Sequence, residues 1–254
     1  MKIGGRKLGT IIAATVKKEH YIAAVNMLTI HKNPLDAYCR YLFGVGKYPA
    51  NYAVRTPLGT LSIQAYSHHD LLTINEIFCR KDYHADDRDN IIVDFGSNIG
   101  VSAAYFLTRS PEAFVYMYEP LPINIEKAKK NLSNFDGRYE LNQLAVGPEA
   151  GDLQFGWEET GRYGGLGRQT GNFITVSCRD SNEVLAETIR KHGRIDILKV
   201  DVETLERQIV TRIPTDILRG IRKIYAECYF RDNPLSATHS YNQYGSIARF
   251  VRNS

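Results

Sequence analysis

From residue 91 onward the chain alternates short apolar runs with amphipathic segments, and that rhythm limits its fold more than any other feature. The runs are IIVDF, AFVYMYE, YELNQLAV, IDILKVD and IRKIYAEC. Between them stand VSAAYFLTRS, INIEKAKKNLSNF, SNEVLAETIRKH and ERQIVTRIP, which read as helices with one apolar face. Continuous apolar strands separated by such helices predict a parallel sheet covered on both faces. The expected fold class is therefore α/β, a doubly wound, mostly parallel sheet of the seven-stranded, Rossmann-like type.

Residues 1–85 follow another pattern and are read as an N-terminal extension, on the acceptor side or used for dimerisation. Residues 5–45 look mainly helical. NYAVRTPLGTLSIQAY then alternates around a hairpin turn containing Pro57 and Gly59. HDLLTINEIFCRKDY predicts a helix capped by Asp70, with Leu71, Ile74, Ile77 and Phe78 on one face. The polar stretch HADDRDN marks the boundary, and residues 86–254 form the main domain. Inside it, the Gly-rich segment 156–171, with Trp157, Arg162, Tyr163 and Arg168, reads as a lid hinged on its glycines.

Bulk properties exclude several classes. The formal net charge is +4 and the basic residues are scattered, so a nucleic-acid partner is not expected. The 4 cysteines contain no CxxC pair, which argues against a zinc ribbon or a disulfide scaffold and for a reducing, cytoplasmic setting. No run approaches the ~20 apolar residues of a membrane span.

Ligands of an open α/β sheet sit beyond the carboxyl ends of the strands, where the strand order reverses. That directs attention to VDFGSNIG, residues 93–100. A dinucleotide fingerprint would be GxGxxG, and the middle glycine, which lets backbone approach a pyrophosphate, is absent between Gly96 and Gly100. An NAD-linked oxidoreductase is the weaker reading for that reason. Asp94 would repel a phosphate there but would suit an ammonium or a hydroxyl. Glu119 closes the second strand, where an acid can accept hydrogen bonds from ribose hydroxyls. A nucleoside carrying an ammonium group, S-adenosylmethionine (SAM), fits this turn better than NAD does.

VDFGSNIG, YEPLPINIEKAKKN, LAVGPEAGDLQF and IDILKVDVETLERQIV, in that order, resemble the FkbM-type family of class I SAM-dependent methyltransferases. The family usually has a glycine after DVE, where this chain has Thr204 and then Leu205. It often has a histidine after the acid closing the fifth strand, where Cys228 and Tyr229 follow Glu227 here. The resemblance implies methyl transfer from SAM to oxygen on a small-molecule acceptor, often a sugar hydroxyl of a glycoside, glycolipid or natural product. It also implies that Asp94, Gly96, Ser97, Asn98 and Gly100 hold the methionine part and Glu119 the ribose. The adenine would lie against Pro120 and against Gln143 or Ala145.

A sugar hydroxyl is a weak nucleophile, so a base is useful. Asp201 and Glu203 follow the fourth strand at its carboxyl edge. If the strand's alternation persists, Asp201 and Lys199 face the site and Val200 turns into the packing. His239 is the third candidate, because NPLSATHSYNQYG could fold over the acceptor. Glu203 and Glu206 also suit the start of the following helix electrostatically. Carboxylates near one strand end could hold Mg²⁺ through oxygens, but nothing in the spacing fixes a ligand set and no metal is assigned. Beside the NAD-linked oxidoreductase, the alternative reading is a catalytically silent SAM-fold binding or assembly subunit; separately, the N-terminal helices could pair two copies as a homodimer.

Overall fold

In the computed structural model the apolar runs after residue 90 lie side by side in a seven-stranded sheet. The structure describes residues 2–3, 6–7, 18–157, 164–166 and 172–253. The chain divides into two units between His84 and Ala85.

The first unit holds α1 (Lys18–Ile30), α2 (Pro34–Phe43), the strands β1 (Ala50–Thr56) and β2 (Gly59–Ala65), and α3 (His68–Ile74). The hairpin turns through Pro57 and Leu58, with Thr56 opposite Gly59. Ser67, not Asp70, caps α3. Its side chain accepts the Asp70 N–H, and Asp70 in return accepts the Ser67 N–H at 2.9 Å, forming a capping box. The helix widens into a π turn over Asn75–Cys79, closed by Arg80 N–H on Asn75 O, and Leu71, Ile74, Ile77 and Phe78 are all buried.

The second unit runs β3 (Ile91–Phe95), α4 (Val101–Leu107), β4 (Phe114–Tyr118), α5 (Pro122–Asn131), β5 (Tyr139–Asn142), β6 (Ala145–Gly147), β7 (Gly151–Trp157), β8 (Gly164–Leu166) and β9 (Asn172–Asp180). It continues with α6 (Ser181–His192), β10 (Ile195–Val200), α7 (Glu206–Arg212), α8 (Thr215–Arg219), β11 (Ile221–Ala226), β12 (His239–Tyr244) and β13 (Ile247–Arg252). The main sheet has the order β12-β13-β11-β10-β3-β4-β5. From β11 through β5 every neighbouring pair is parallel, and β13 is antiparallel to both β11 and β12. β10 is buried along its whole length, as a central strand covered on both faces must be. Among the described residues no helix is long and apolar enough to cross a membrane.

Two segments differ from the sequence reading. The tail, read as a flap over the acceptor, forms the hairpin β12–β13, turning beside Gly245 at φ +59° and completing the sheet. The third apolar run splits. Leu144 N–H bonds back to Asn142 O, which lifts the chain out of the main sheet. β6 then pairs in parallel with β9 in a second sheet of order β8-β7-β9-β6.

At the amino edge, polar groups fix the strand starts. Asp196 accepts the N–H groups of Asn90 and Ile91 at 2.9 and 3.0 Å, while Asp89 pairs with Arg222 and with Lys223. Asp196→Ala would leave two backbone donors without their acceptor. It should lower the unfolding free energy by about 2–3 kcal/mol in urea titrations. A loss well under ~1 kcal/mol would mean that these donors find another partner.

Candidate active site

The strand order reverses between β3 and β10, because the chain steps outward from β3 through β4 to β5 and then returns to β10 on the other side. The carboxyl ends of these two strands, Asp94–Phe95 and Val200–Asp201, therefore border the crevice where this architecture binds ligands. Gly96 opens the turn at φ +77°, and a Cβ there would fall 1.7 Å from Asp201 O. No other residue fits. Gly96 and Ser97 donate their N–H groups to Tyr118 O at 3.0 and 3.1 Å, and Asn98, at φ +48°, donates its own to Glu119 Oε2 at 3.0 Å. The turn is thus tied to the ends of β4 and β10 before Gly100 leads into α4. Ser97 Oγ is buried and has no hydrogen-bond partner among the described residues.

Lys199 lies across the register from Asp94. Its Nζ is 3.0 Å from Asp94 Oδ1 and 3.3 Å from Asp201 Oδ2, and it donates to Gly96 O at 2.9 Å. Burial alone would lower the lysine's pKa, but Asp94 and then Asp201 more than reverse this and hold it above the ordinary lysine value. Ser102 Oγ donates to the second oxygen of Asp94 at 2.5 Å. Asp94 is fully buried and its charge is matched by Lys199, so it does not stand open to a ligand's ammonium as the sequence suggested. Asp201, with 30% of its side chain exposed, is the outer carboxylate of the trio.

Glu119 is buried at the end of β4. Oε1 accepts from Leu121 N and Asn124 Nδ2, at 3.0 and 3.2 Å, and Oε2 from Asn98 N. A carboxylate has about four lone-pair sites, so these three donors leave room for roughly one more, such as a single ribose hydroxyl. Burial dominates the carboxyl's titration and pushes it up to about 7 against the opposing pull of the donors.

The other candidate residues are placed unevenly. Pro120 is buried beside Glu119; Leu121 packs with Ala145 in an apolar cluster, and Gln143 is exposed between β5 and β6. Glu203 and Thr204 carry φ +60° and +77° in the turn after Asp201, so Thr204 holds a conformation that favours the family's glycine. Glu206 begins α7, is buried, and accepts the Val202 N–H at 3.1 Å, which makes it a strut of that turn. His239 belongs elsewhere. It begins β12, which runs parallel to β11, and its Nε2 meets Ile221 O at 3.2 Å at the amino edge of the sheet. The sheet separates it from Asp201, so it is not a base for this crevice. Trp157 is described in its backbone only, and Arg162, Tyr163 and Arg168 lie outside the described residues. Among the described residues, no group of three or more His, Cys, Asp or Glu is arranged to hold a metal ion.

The feature that sequence reasoning underweighted is Lys199. A lysine inside the otherwise apolar run IDILKVD signals a buried ion partner, and the structure supplies two, Asp94 and Asp201.

The sequence model of the methyltransferase FkbM domain matches residues 94–237, more than half of the chain. Methyltransferase sdnD of Sordaria araneosa is 23% identical over 179 residues, which cover 54% of this chain and 66% of that protein. The 31-O-demethyl-FK506 methyltransferase FkbM of Streptomyces tacrolimicus is 23% identical over 176 residues, 58% of this chain and 68% of that protein. The chain thus spans about two thirds of the length of these relatives. A crystal structure of a methyltransferase from Geobacter sulfurreducens is 16% identical with a TM-score of 0.37, covering 65% of this chain and 71% of that one.

The Glu119 carboxyl carries a testable pH signature. Its folded value, about 7, lies above the ordinary 4.5, so the folded state holds the proton more tightly than the unfolded chain does. The resulting stability is fully present below pH 4.5 and is lost as pH rises toward 7. Relative to Glu119→Gln, the wild type should therefore lose on the order of 3 kcal/mol of unfolding free energy across that interval. A pH-independent difference between the two proteins would show that Glu119 does not titrate there.

Proposed function

The chain belongs to the FkbM methyltransferase family, and we propose that it moves the methyl group of SAM to a hydroxyl oxygen of a small, sugar-bearing acceptor. The observation that carries the reading is the convergence at the switch point of the glycine turn 96–100, the buried Glu119 and the outer carboxylate Asp201. The residues present suit the cofactor. Gly96 lets the turn close against the end of β10, Glu119 keeps an acceptor site for ribose, and the buried Ser97 Oγ, without a hydrogen-bond partner among the described residues, offers a polar contact. Oxygen as the acceptor atom is supported by the relative named for 31-O-demethyl-FK506. On this reading Pro120, Gln143 and Ala145 border the adenine.

When bound, SAM supplies a methyl group on a sulfonium, whose departure needs no acid. The chain's task is then to align the acceptor and remove its proton. We assign the proton to Glu203, which the turn after Asp201 holds at the same strand end. Its carboxylate would take the proton of an acceptor hydroxyl aligned with the methyl group that the cofactor would supply.

Calorimetry with S-adenosylhomocysteine, followed by methyl-labelled SAM with a panel of sugars and glycosides, tests the proposal. Binding is expected, with Glu119→Ala at least ~10-fold weaker through loss of its hydrogen bonds. Label should enter an acceptor as a methyl ether, and Glu203→Gln should slow transfer by ~10²-fold or more. Binding without transfer to any hydroxylated acceptor would favour a silent SAM-fold subunit. Absence of binding would end the SAM reading.

A further inference from the structure

The interior of β10 consists of Ile195, Ile197, Leu198 and Val200, all fully buried, except for Asp196 at the amino edge and Lys199 near the carboxyl edge. Asp196 is accounted for by the two amides it accepts. Lys199 differs in place: the backbone carbonyls it donates to, Phe95 O at 3.4 Å and Gly96 O at 2.9 Å, belong to the end of β3 and to the turn of the crevice itself. Taking an ammonium out of water is costly even when it is paired, and a methionine of similar length would pack there without that cost. What the lysine does contribute is geometric. One nitrogen brings together the inner acid Asp94, the carbonyl of Gly96 and the outer acid Asp201, which belong to two strand ends and the turn between them.

We propose that Lys199 is a positioning residue for the amino-acid end of the cofactor, holding the Gly96 carbonyl and the Asp201 carboxylate together as the pair that receives the cofactor's ammonium. The inference rests on the cofactor reading above. Two carboxylates against one lysine leave the trio with one net negative charge. Asp94 and Lys199 are almost wholly buried while Asp201 is 30% exposed, so that charge is presented by Asp201. The two acceptors lie close enough for a single ammonium to reach both, as Lys199 itself demonstrates from the interior side. Each oxygen has a second lone pair with which to take a donor from the crevice. The role that the sequence suggested for Asp94 passes to Asp201, and Asp94 becomes the anchor of the lysine.

The test compares S-adenosylhomocysteine with 5′-methylthioadenosine, an adenosine thioether without the amino-acid end, by calorimetry. The double variant Asp94→Asn/Lys199→Met preserves the net charge of the trio and removes only the bridge. It should bind S-adenosylhomocysteine at least ~10-fold more weakly, while 5′-methylthioadenosine stays within about twofold, since charged hydrogen bonds are lost at one end of the ligand alone. Asp201→Asn leaves the buried ion pair intact and tests the receiving carboxylate itself: the same split is expected, and its absence would overturn the proposal even should the double variant not fold. Lys199→Met alone separates charge from position: extra negative charge would tighten binding of an ammonium, whereas loss of positioning weakens it. Unchanged affinity for S-adenosylhomocysteine, or equal losses for the two ligands, would overturn the proposal. A wild type that binds neither ligand would overturn the cofactor reading, and this inference with it.

Discussion

One buried ammonium group, on Lys199, sets the geometry around which the second unit's crevice is built. A charge at that depth is tolerable only if carboxylates reach it, and the two that do sit at the ends of adjacent strands, β3 and β10. The same nitrogen takes the Gly96 carbonyl, so the turn leaving β3 must bend back over the end of β10. That path leaves no room for a side chain at Gly96, where a Cβ would fall 1.7 Å from Asp201 O. The glycine and the lysine are therefore two consequences of one arrangement, and the crevice lies where the strand order reverses because only there do two neighbouring strand ends diverge.

The two edges of the sheet treat charge differently. At the amino edge Asp89 faces Arg222 and Lys223, and Asp196 faces Arg194 and backbone donors, so carboxylates and cations roughly match. At the carboxyl edge Asp94 and Asp201 flank Lys199, while Glu119 at the end of β4 and Glu206 at the start of α7 are buried on backbone and amide donors. Glu119 and Glu206 titrate above ordinary carboxyls because burial penalises their charged forms. A matched edge closes the sheet and does little else. The carboxyl edge instead keeps two carboxylates, Asp94 and Asp201, on the single ammonium of Lys199.

Much of this was legible in the sequence, for local reasons. SNEVLAETIRKH is a helix because Asp180 caps it, accepting the N–H groups of Asn182 and Glu183, and because Gly193 ends it at φ +76°. The strands of the central sheet were readable because both faces are buried and the apolar runs are continuous. What failed depended on distant partners. HSYNQY alternates too weakly to announce a strand, and it becomes one only by pairing with β13. LAV looked continuous with YELN, but the bond from Leu144 N to Asn142 O breaks the run and β9 captures the rest. His239 was misplaced by the same error, since a flap would have carried it to the crevice while a parallel strand starts it at the opposite edge.

The turn after Asp201 shows how a departure from a family pattern can leave geometry intact. Glu203 and Thr204 both sit in the left-handed region, where a β-branched residue costs roughly 1–2 kcal/mol more than glycine. The turn holds because its surroundings over-determine it. Asp201 N–H is bound to Phe95 O, Val202 N–H to the Glu206 carboxylate, and Asp201 O lies against Gly96. Those contacts fix the chain on both sides of Thr204, so the residue adopts the conformation a glycine would take instead of redirecting the backbone. The substitution therefore leaves the direction of Asp201 and Glu203 as the neighbouring bonds set it. It adds a hydroxyl and a methyl at an exposed position of that turn, so the difference from the family pattern lies in the side chain presented there and not in the path of the chain.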